Sequence, residues 1–124
     1  MTEYLTLDEV LLIHADQIDR YGGLHGVRDF RLVNSALSRP KSGYYETTIE
    51  QAAALWESFA QNHAFLDGNK RTAFAETYTF LMINGWRIHA GPDETYKFIA
   101  DLYSRQAFVF VHLVAWLHSN TSKT

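Results

Sequence analysis

The segment from Thr72 to Ile83 contains a single charged residue, Glu76. A helix that is apolar on nearly every side is stable only where other elements surround it. The pair Asn84-Gly85 follows this segment and is typical of a helix C-terminus. The sequence therefore predicts a central, buried helix over about residues 69–84, with the rest of the chain packed around it.

Two capping boxes predict the starts of two further helices. Thr6 with Glu9, and Thr47 with Glu50, each place a hydroxyl three residues before a carboxylate and ahead of apolar residues at helical spacing. The first helix should end at Tyr21-Gly22-Gly23, because glycine supplies the left-handed residue that ends a helix. The second should end near residue 61 or 62. Weaker signals predict three more helices, at about 29–37, 92–103 and 106–118.

The composition fits one folded domain spanning residues 1–124, with an all-α class of about six helices. Hydrophobic residues make up 47% of the 124, which is enough for a core. A net charge of −3 argues against a direct nucleic-acid binder, which needs a basic face. The chain has no cysteine, no signal-peptide pattern at its start and no long apolar run, which favours a cytoplasmic protein without a membrane segment.

Two polar stretches lie outside the predicted helices. Residues 41–47 form a loop or a small β-hairpin flap, and its residues Tyr44, Tyr45 and Glu46 are candidates for docking a target protein. A plain surface loop is an equally good interpretation of this stretch. The tail, residues 119–124, is polar and is expected to fray.

The short turn between the second predicted helix and the central one combines side chains suited to phosphate chemistry: His63, Asp67, Gly68, Asn69, Lys70 and Arg71. The free N–H groups and the dipole of the helix that starts here favour an anion. Two cations at a helix N-terminus are locally unfavourable, and they make sense if an anion binds beside them. Asp67 is a hard oxygen ligand suited to Mg²⁺, and His63 titrates near neutral pH as a general base must.

Each of these residues also has a structural interpretation. His63 can interact with a helix dipole, Asp67 can cap a helix, and Lys70 and Arg71 can simply be solvated. A plain loop has no need of all of them together at this spacing before a buried helix. The combination therefore indicates an active site that binds the phosphates of a nucleotide.

The segment from His63 to Arg71 resembles the Fic signature, His-x-Phe-x-Asp/Glu-Gly-Asn-Gly/Lys-Arg. Three features resemble the Doc branch of that superfamily. Lys70 stands where typical Fic proteins have glycine, Phe74 stands where they have a second arginine, and the run from Arg20 to Gly26 resembles a Tyr-Gly-Gly-Leu-x-Gly loop of Doc proteins. Gly68 departs from the alanine found in Doc-type motifs and is closer to the general Fic form.

The resemblance implies a compact Fic/Doc helical fold and a role for each residue of the motif. His63 takes the proton of a target hydroxyl, and Asp67 holds Mg²⁺. Gly68, Asn69, Lys70 and Arg71 bind the phosphates of ATP. Lys70 also counts as catalytic, because its charge faces a transferring phosphoryl group.

The resemblance further implies a bacterial toxin that phosphorylates a Ser or Thr hydroxyl of a translation factor, elongation factor Tu, and so blocks translation. Two alternatives stay open at this point: an AMP-transferase of the general Fic type, and a non-catalytic module that binds nucleotide or antitoxin. The chain lacks the Ser/Thr-x-x-x-Glu-Gly/Asn inhibitory signature. An antitoxin acting in trans, through a segment that folds as a helix, is therefore the expected partner.

Overall fold

The computed structural model describes residues 1–124 and contains six α-helices and two short strands. A 3₁₀ turn, Arg39–Lys41, extends the second helix. The elements in chain order are α1 Leu7–Tyr21, α2 Phe30–Ser38, α3 Thr48–Gln61, α4 Asn69–Ile83, β1 Trp86–Ile88, α5 Pro92–Ser104, α6 Phe110–Asn120 and β2 Thr121–Lys123. The predicted all-α class is confirmed.

The helix starts follow the local signals of the sequence. Both capping boxes form, with Thr6 and Thr47 accepting from the backbone N–H groups of Glu9 and Glu50. Gly22 ends α1 with a φ of 88°, which a residue with a side chain rarely adopts. These starts and stops depend on contacts within one helical turn, so they could be predicted without knowledge of the tertiary structure.

The core forms mainly between α3 and α4, which make the most extensive helix pair of the fold. Trp56 and Phe59 of α3 and Phe80 of α4 are almost completely buried in it. The prediction that α4 is buried on nearly all sides is wrong for its outer face, where Tyr78 is 43% and Met82 is 56% exposed. The helices α1 and α3 and the strand β1 pack against α4, and the face that carries Tyr78 and Met82 stays open to solvent.

Residues 41–47 contain no strand, so the loop interpretation of this stretch is right and the hairpin flap is not formed. The loop is tied to the helices instead. The hydroxyl of Tyr45 accepts from Arg39 Nε at 2.8 Å, and its carbonyl accepts from the side-chain amide of Gln51. These two bonds fix Tyr45 against the 3₁₀ turn and α3.

The C-terminal segment differs from the prediction. The tail does not fray, because β2 pairs antiparallel with β1, with Trp86 opposite Lys123. The last helix begins after Val109 rather than at Gln106, whose φ of 54° is left-handed and incompatible with a helix. None of the helices combines the length and apolar character needed to cross a membrane.

Candidate active site

The turn that joins α3 to α4 is closed by the side chain of Asn69. Its amide oxygen accepts from the backbone N–H of Phe65, and its amide nitrogen donates to the Phe65 carbonyl, both at 3.0 Å. Phe65 is 1% exposed and anchors the turn in the core. The side chain of Asn69 is thus occupied in shaping the turn, so any phosphate contact of this residue falls to its backbone N–H.

A second loop, between α1 and α2, lies alongside the first. Val27 and Phe65 form an isolated antiparallel bridge, and the Ala64 carbonyl accepts from the N–H groups of both Arg28 and Asp29. The N–H of Leu66 completes the pairing by donating to the Gly26 carbonyl. The glycine-containing loop between α1 and α2 and the turn between α3 and α4 are therefore hydrogen-bonded to each other and form one structural unit.

His63 lies at the start of the turn, with its side chain exposed and without a hydrogen-bond partner in the protein. Its φ of 52° places it in the left-handed region, which is uncommon for a residue with a side chain. The guanidinium of Arg28 holds this conformation by donating to the carbonyls of His63 at 2.6 Å and Asn62 at 3.1 Å. Arg28 therefore belongs to this site through its backbone partners. The strained backbone presents an imidazole that is free to meet a ligand.

Asp67 presents its carboxylate to backbone donors of both loops. The N–H of Leu24 donates to Oδ2 at 3.1 Å, and the N–H of Gly68 donates to Oδ1 at 2.8 Å. These two hydrogen bonds, from Leu24 and then Gly68, hold the pKa of Asp67 below its ordinary value of 3.8. Each oxygen keeps a further acceptor position, so the carboxylate stays ionised and able to bind a cation.

Gly23 is required by the close approach of the two loops. Its φ is +119°, and a Cβ atom there would lie 2.8 Å from Asp67 Oδ2. That separation is shorter than any van der Waals contact, so only glycine fits without moving the carboxylate. The glycine loop seen in the sequence thus determines where Asp67 lies.

His14 is a residue of the site that sequence reasoning missed. Its ring is 4% exposed, stacks on Phe65 with centroids 3.9 Å apart, and places Nε2 2.8 Å from the carbonyl oxygen of Asp67. Burial lowers its pKa below the ordinary 6.5. The signal was present in the sequence, since a histidine on the apolar face of α1 must find a hydrogen-bond partner once buried.

The N-terminus of α4 forms an anion-binding surface. The backbone N–H groups of Asn69, Lys70 and Arg71 have no acceptor in the protein. Gly68 caps the helix in the left-handed conformation, with a φ of 71°, and a Cβ there would lie 2.8 Å from Ile18 Cδ1. The glycine therefore allows the backbone of the turn to pack on α1 while the free N–H groups stay accessible.

The two cations after the turn point to different neighbours. Arg71 donates from Nη2 to the Gly22 carbonyl at 2.8 Å and lies over the ring of Tyr21, with Cζ 5.8 Å from the centroid. Lys70 extends towards α5, where its Nζ lies 4.0 Å from the centroid of the Tyr103 ring. Both line one end of an open groove of about 900 Å³ between α4 and α5. The predicted phosphate-binding residues are thus near neighbours, although Lys70 contacts an aromatic ring rather than Asp67.

The candidate docking residues lie in the loop after the 3₁₀ turn. Tyr44 is 82% exposed and its ring stands edge-on to that of Tyr45, at 5.1 Å. Tyr45 is held by Arg39, whose guanidinium also pairs with Glu57 at 2.7 Å. Glu46 is exposed. A loop in which Tyr45 is held by hydrogen bonds and Tyr44 is exposed is compatible with docking a target and equally with a plain surface loop.

Comparison with known proteins identifies relatives of the chain. A profile of the Fic/DOC family matches residues 4–81, well over half of the chain. The chain is 45% identical over 98 residues to "Toxin Doc" of Mycolicibacterium smegmatis. The aligned region covers 75% of this chain and 73% of that protein. It is 32% identical over 94 residues to "Protein kinase doc" of Escherichia phage P1, covering 73% and 75% of the two chains.

Proposed function

The chain belongs to the Fic/DOC family, in its Doc branch, and from this premise we propose that it is a toxin of a toxin–antitoxin pair that acts as a protein kinase. The proposed reaction moves the γ-phosphate of ATP to a Ser or Thr hydroxyl of a translation factor. Elongation factor Tu is the target that the Doc resemblance suggests, and its modification would block translation.

The observation that carries this proposal is the N-terminus of α4. Three backbone N–H groups without acceptors, from Asn69, Lys70 and Arg71, lie beside two cationic side chains. Fixed N–H donors and cations stabilise charge on phosphate oxygens at no cost of reorganisation during the reaction. Phosphoryl transfer needs mainly such positioning and charge stabilisation.

The proposed magnesium fits the donor set of Asp67. Its carboxylate is held ionised by two backbone N–H groups and retains an acceptor position on each oxygen. Mg²⁺ in nucleotide sites is commonly held by one or two carboxylates, with the phosphates and water as its other ligands. When bound, the ion would neutralise charge on the phosphate oxygens.

His63 is the proposed general base. Its imidazole is exposed and unpaired, so a target hydroxyl has direct access to a free ring nitrogen. The hydroxyl gives its proton to His63 while its oxygen forms a bond to the γ-phosphorus. The bond from that phosphorus to the β–γ bridging oxygen breaks, and ADP leaves with the electron pair. The products are a phosphorylated hydroxyl, ADP and a protonated imidazole.

The proposed partners are the target and an antitoxin. The name of the relative from Mycolicibacterium smegmatis, "Toxin Doc", supports a cognate antitoxin. We propose that this antitoxin acts in trans through a helical segment. Exposed apolar side chains on the outer faces of α1 and α4 suit an amphipathic helix: Leu12, Tyr78 and Met82. Tyr44, Tyr45 and Glu46 remain the proposed docking contacts for the target.

The experiment that tests the activity uses ATP labelled separately at the α- and γ-phosphates, with purified protein and either a bacterial extract or elongation factor Tu. Protein-bound label from the γ position supports the kinase. Label from the α position would replace it with an AMP-transferase, and label from neither would leave a binding module. The His63→Asn variant serves as the inactive control.

A further inference from the structure

Lys70 and Tyr103 form the closest cation–ring pair of the structure. The ammonium lies 4.0 Å from the ring centroid, whereas the cation-to-centroid distances in the other five pairs are 5.4 to 5.9 Å. Tyr103 is on α5, beyond the residues 4–81 that match the family profile. A residue outside the family motif thus contacts the side chain proposed to face the phosphates.

The ring of Tyr103 is fixed by its other neighbours. It stacks on Phe108 with centroids 4.6 Å apart and planes 16° apart, and Phe108 is 2% exposed and packs edge-on to Trp56. The Tyr103 hydroxyl is buried without a partner, and burial raises its pKa to about 12, so the phenol stays neutral. One face of the ring is therefore held by the core, and the other is presented to Lys70.

This contact holds the ammonium without a protein oxygen as its hydrogen-bond acceptor. An aromatic face attracts a cation through its electron density, while a carboxylate would accept N–H bonds and neutralise the charge. Lys70 forms no ion pair in the protein. Its charge and its N–H groups are thus available to an anion at the mouth of the groove.

We infer that Tyr103 is a positioning residue that holds the Lys70 ammonium ready for the terminal phosphates of the nucleotide. The inference rests on the proposed function, since it assigns Lys70 a phosphate ligand. A flexible lysine loses side-chain freedom when it binds an anion, and a ring that already restrains it lowers that cost. Tyr103 acts only through Lys70 and touches no reacting atom.

The test measures binding of inorganic triphosphate and of ATP by calorimetry in ring-retaining and ring-deleting variants. Tyr103→Phe keeps the ring and should bind as wild type does. Tyr103→Leu removes the ring and should weaken binding of both ligands about tenfold. If Tyr103→Leu does not fold, Tyr103→Met is used in its place, because the methionine side chain is longer and unbranched and also lacks the ring.

Tyr96 provides the matched control. It lies two turns earlier on α5, lines the same groove, is 74% exposed and has no cation over its ring. Tyr96→Leu is the same chemical change, and it should leave triphosphate binding unaltered. Equal weakening in both leucine variants would overturn the inference, because the effect would then belong to α5 as a whole.

A double-mutant cycle separates positioning from a merely structural role. In a Lys70→Met background, Tyr103→Leu should cause no further loss of triphosphate binding, since the side chain it positions is gone. A loss of the same size in both backgrounds would show that Tyr103 supports the fold and not Lys70, and would overturn the inference.

The contact itself has a readout that is independent of activity. The ring current of Tyr103 should shift the NMR signals of the Lys70 ε-methylene upfield in wild type, and that shift should vanish in Tyr103→Leu. Absence of the shift in wild type overturns the contact. If the wild-type protein does not bind ATP, both the proposed function and the positioning role of Tyr103 are overturned. If wild type and Tyr103→Leu bind ATP equally well, only the positioning role of Tyr103 is overturned.

Discussion

The Nε2 atom of His14 lies 2.8 Å from the carbonyl oxygen of Asp67, and this contact joins α1 to the turn that precedes α4. Burial lowers the pKa of His14, so its ring is neutral near pH 7 and the Nε2–H group is the donor. The N–H of Leu24, in the loop between α1 and α2, holds the carboxylate of Asp67. The bond from His14 holds its backbone carbonyl, so both the side chain and the main chain of Asp67 are restrained. His14 therefore positions the proposed magnesium ligand without touching the substrate.

Replacing His14 with phenylalanine should keep the stacking on Phe65 and remove only the hydrogen bond. An unsatisfied buried carbonyl costs about 1–3 kcal/mol, and we expect a loss of this size in the free energy of unfolding, together with an about tenfold lower rate of phosphoryl transfer. Urea unfolding and the initial rate with γ-labelled ATP measure the two effects. His112→Phe is the control, because the Nδ1 atom of His112, an exposed residue of α6, also lies 2.8 Å from a backbone carbonyl, that of Ala107, outside the turn that carries Asp67. Equal losses of activity in both variants would contradict the role of His14.

The pair Gly22 and Gly23 tests the close approach of the two loops. Both have positive φ, at 88° and 119°, so an alanine at either position strains the backbone. A Cβ at Gly22 meets nothing within 4 Å, whereas one at Gly23 collides with Asp67 Oδ2. We expect both alanine variants to lose about 1 kcal/mol or more of stability. Gly23→Ala alone should lose most of its transfer activity and its Mg²⁺-dependent ATP binding; activity that falls equally in both would show that the collision is unimportant.

The sequence predicted the parts of this structure that depend on short-range contacts. Thr6 with Glu9, and Thr47 with Glu50, form their capping boxes within one helical turn, and these boxes mark the starts of α1 and α3. The residues from His63 to Arg71 are contiguous, so their proximity needed no knowledge of the fold. Their proposed chemistry could be stated from residue type and spacing alone.

The parts that escaped prediction depend on contacts between distant segments. Lys70 meets Tyr103 on another helix, and Arg28 meets the His63 carbonyl across two loops. The polar tail becomes β2 only because β1 offers a free edge beside it. No local pattern encodes such pairings, since each residue alone is equally compatible with solvent. The exposed face of α4 was missed for the same reason, because an apolar helix does not show which side its neighbours cover.

His63 is expected to be essential for transfer and dispensable for ATP binding. Its φ of 52° is better tolerated by asparagine than by alanine, so His63→Asn is the variant that preserves the backbone while removing the imidazole. General-base removal typically costs about 10²- to 10⁴-fold in rate. Loss of toxicity in growing cells, with ATP affinity within twofold of wild type, would agree with this role. A variant that remains fully toxic would contradict it.

Lys70 is the proposed reason why the γ-phosphate rather than AMP is transferred. Lys70→Gly removes the cation and, near the start of α4, costs about 1 kcal/mol of helix stability. We expect γ-label transfer to be lost or α-label transfer to appear. Lys70→Ala separates the two effects, because it removes the charge without the flexibility of glycine. Wild-type rates of γ-label transfer in Lys70→Gly would show that this residue does not discriminate between the two reactions.

Glu76 makes the stability of the protein depend on pH in the direction opposite to most carboxylates. Its side chain is fully buried, neither oxygen has a partner, and burial raises its pKa well above the ordinary 4.5. In the folded protein it stays protonated at pH values where the unfolded chain ionises it. The unfolded state therefore loses a proton first, and stability falls as pH rises from about 4.5 to the folded pKa, by up to about 1.4 kcal/mol per pH unit.

Glu76→Gln should abolish this dependence, because the amide keeps the shape of the side chain and does not ionise. Urea unfolding of wild type and variant at pH 5 and pH 8 measures the effect, and the stability of Glu76→Gln relative to wild type should increase with pH. Glu94→Gln is the control, since Glu94 is exposed on the first turn of α5, and its stability should follow the wild-type curve. A constant difference between Glu76→Gln and wild type at both pH values would show that Glu76 is already ionised in the folded protein, which would require a partner for it inside the core.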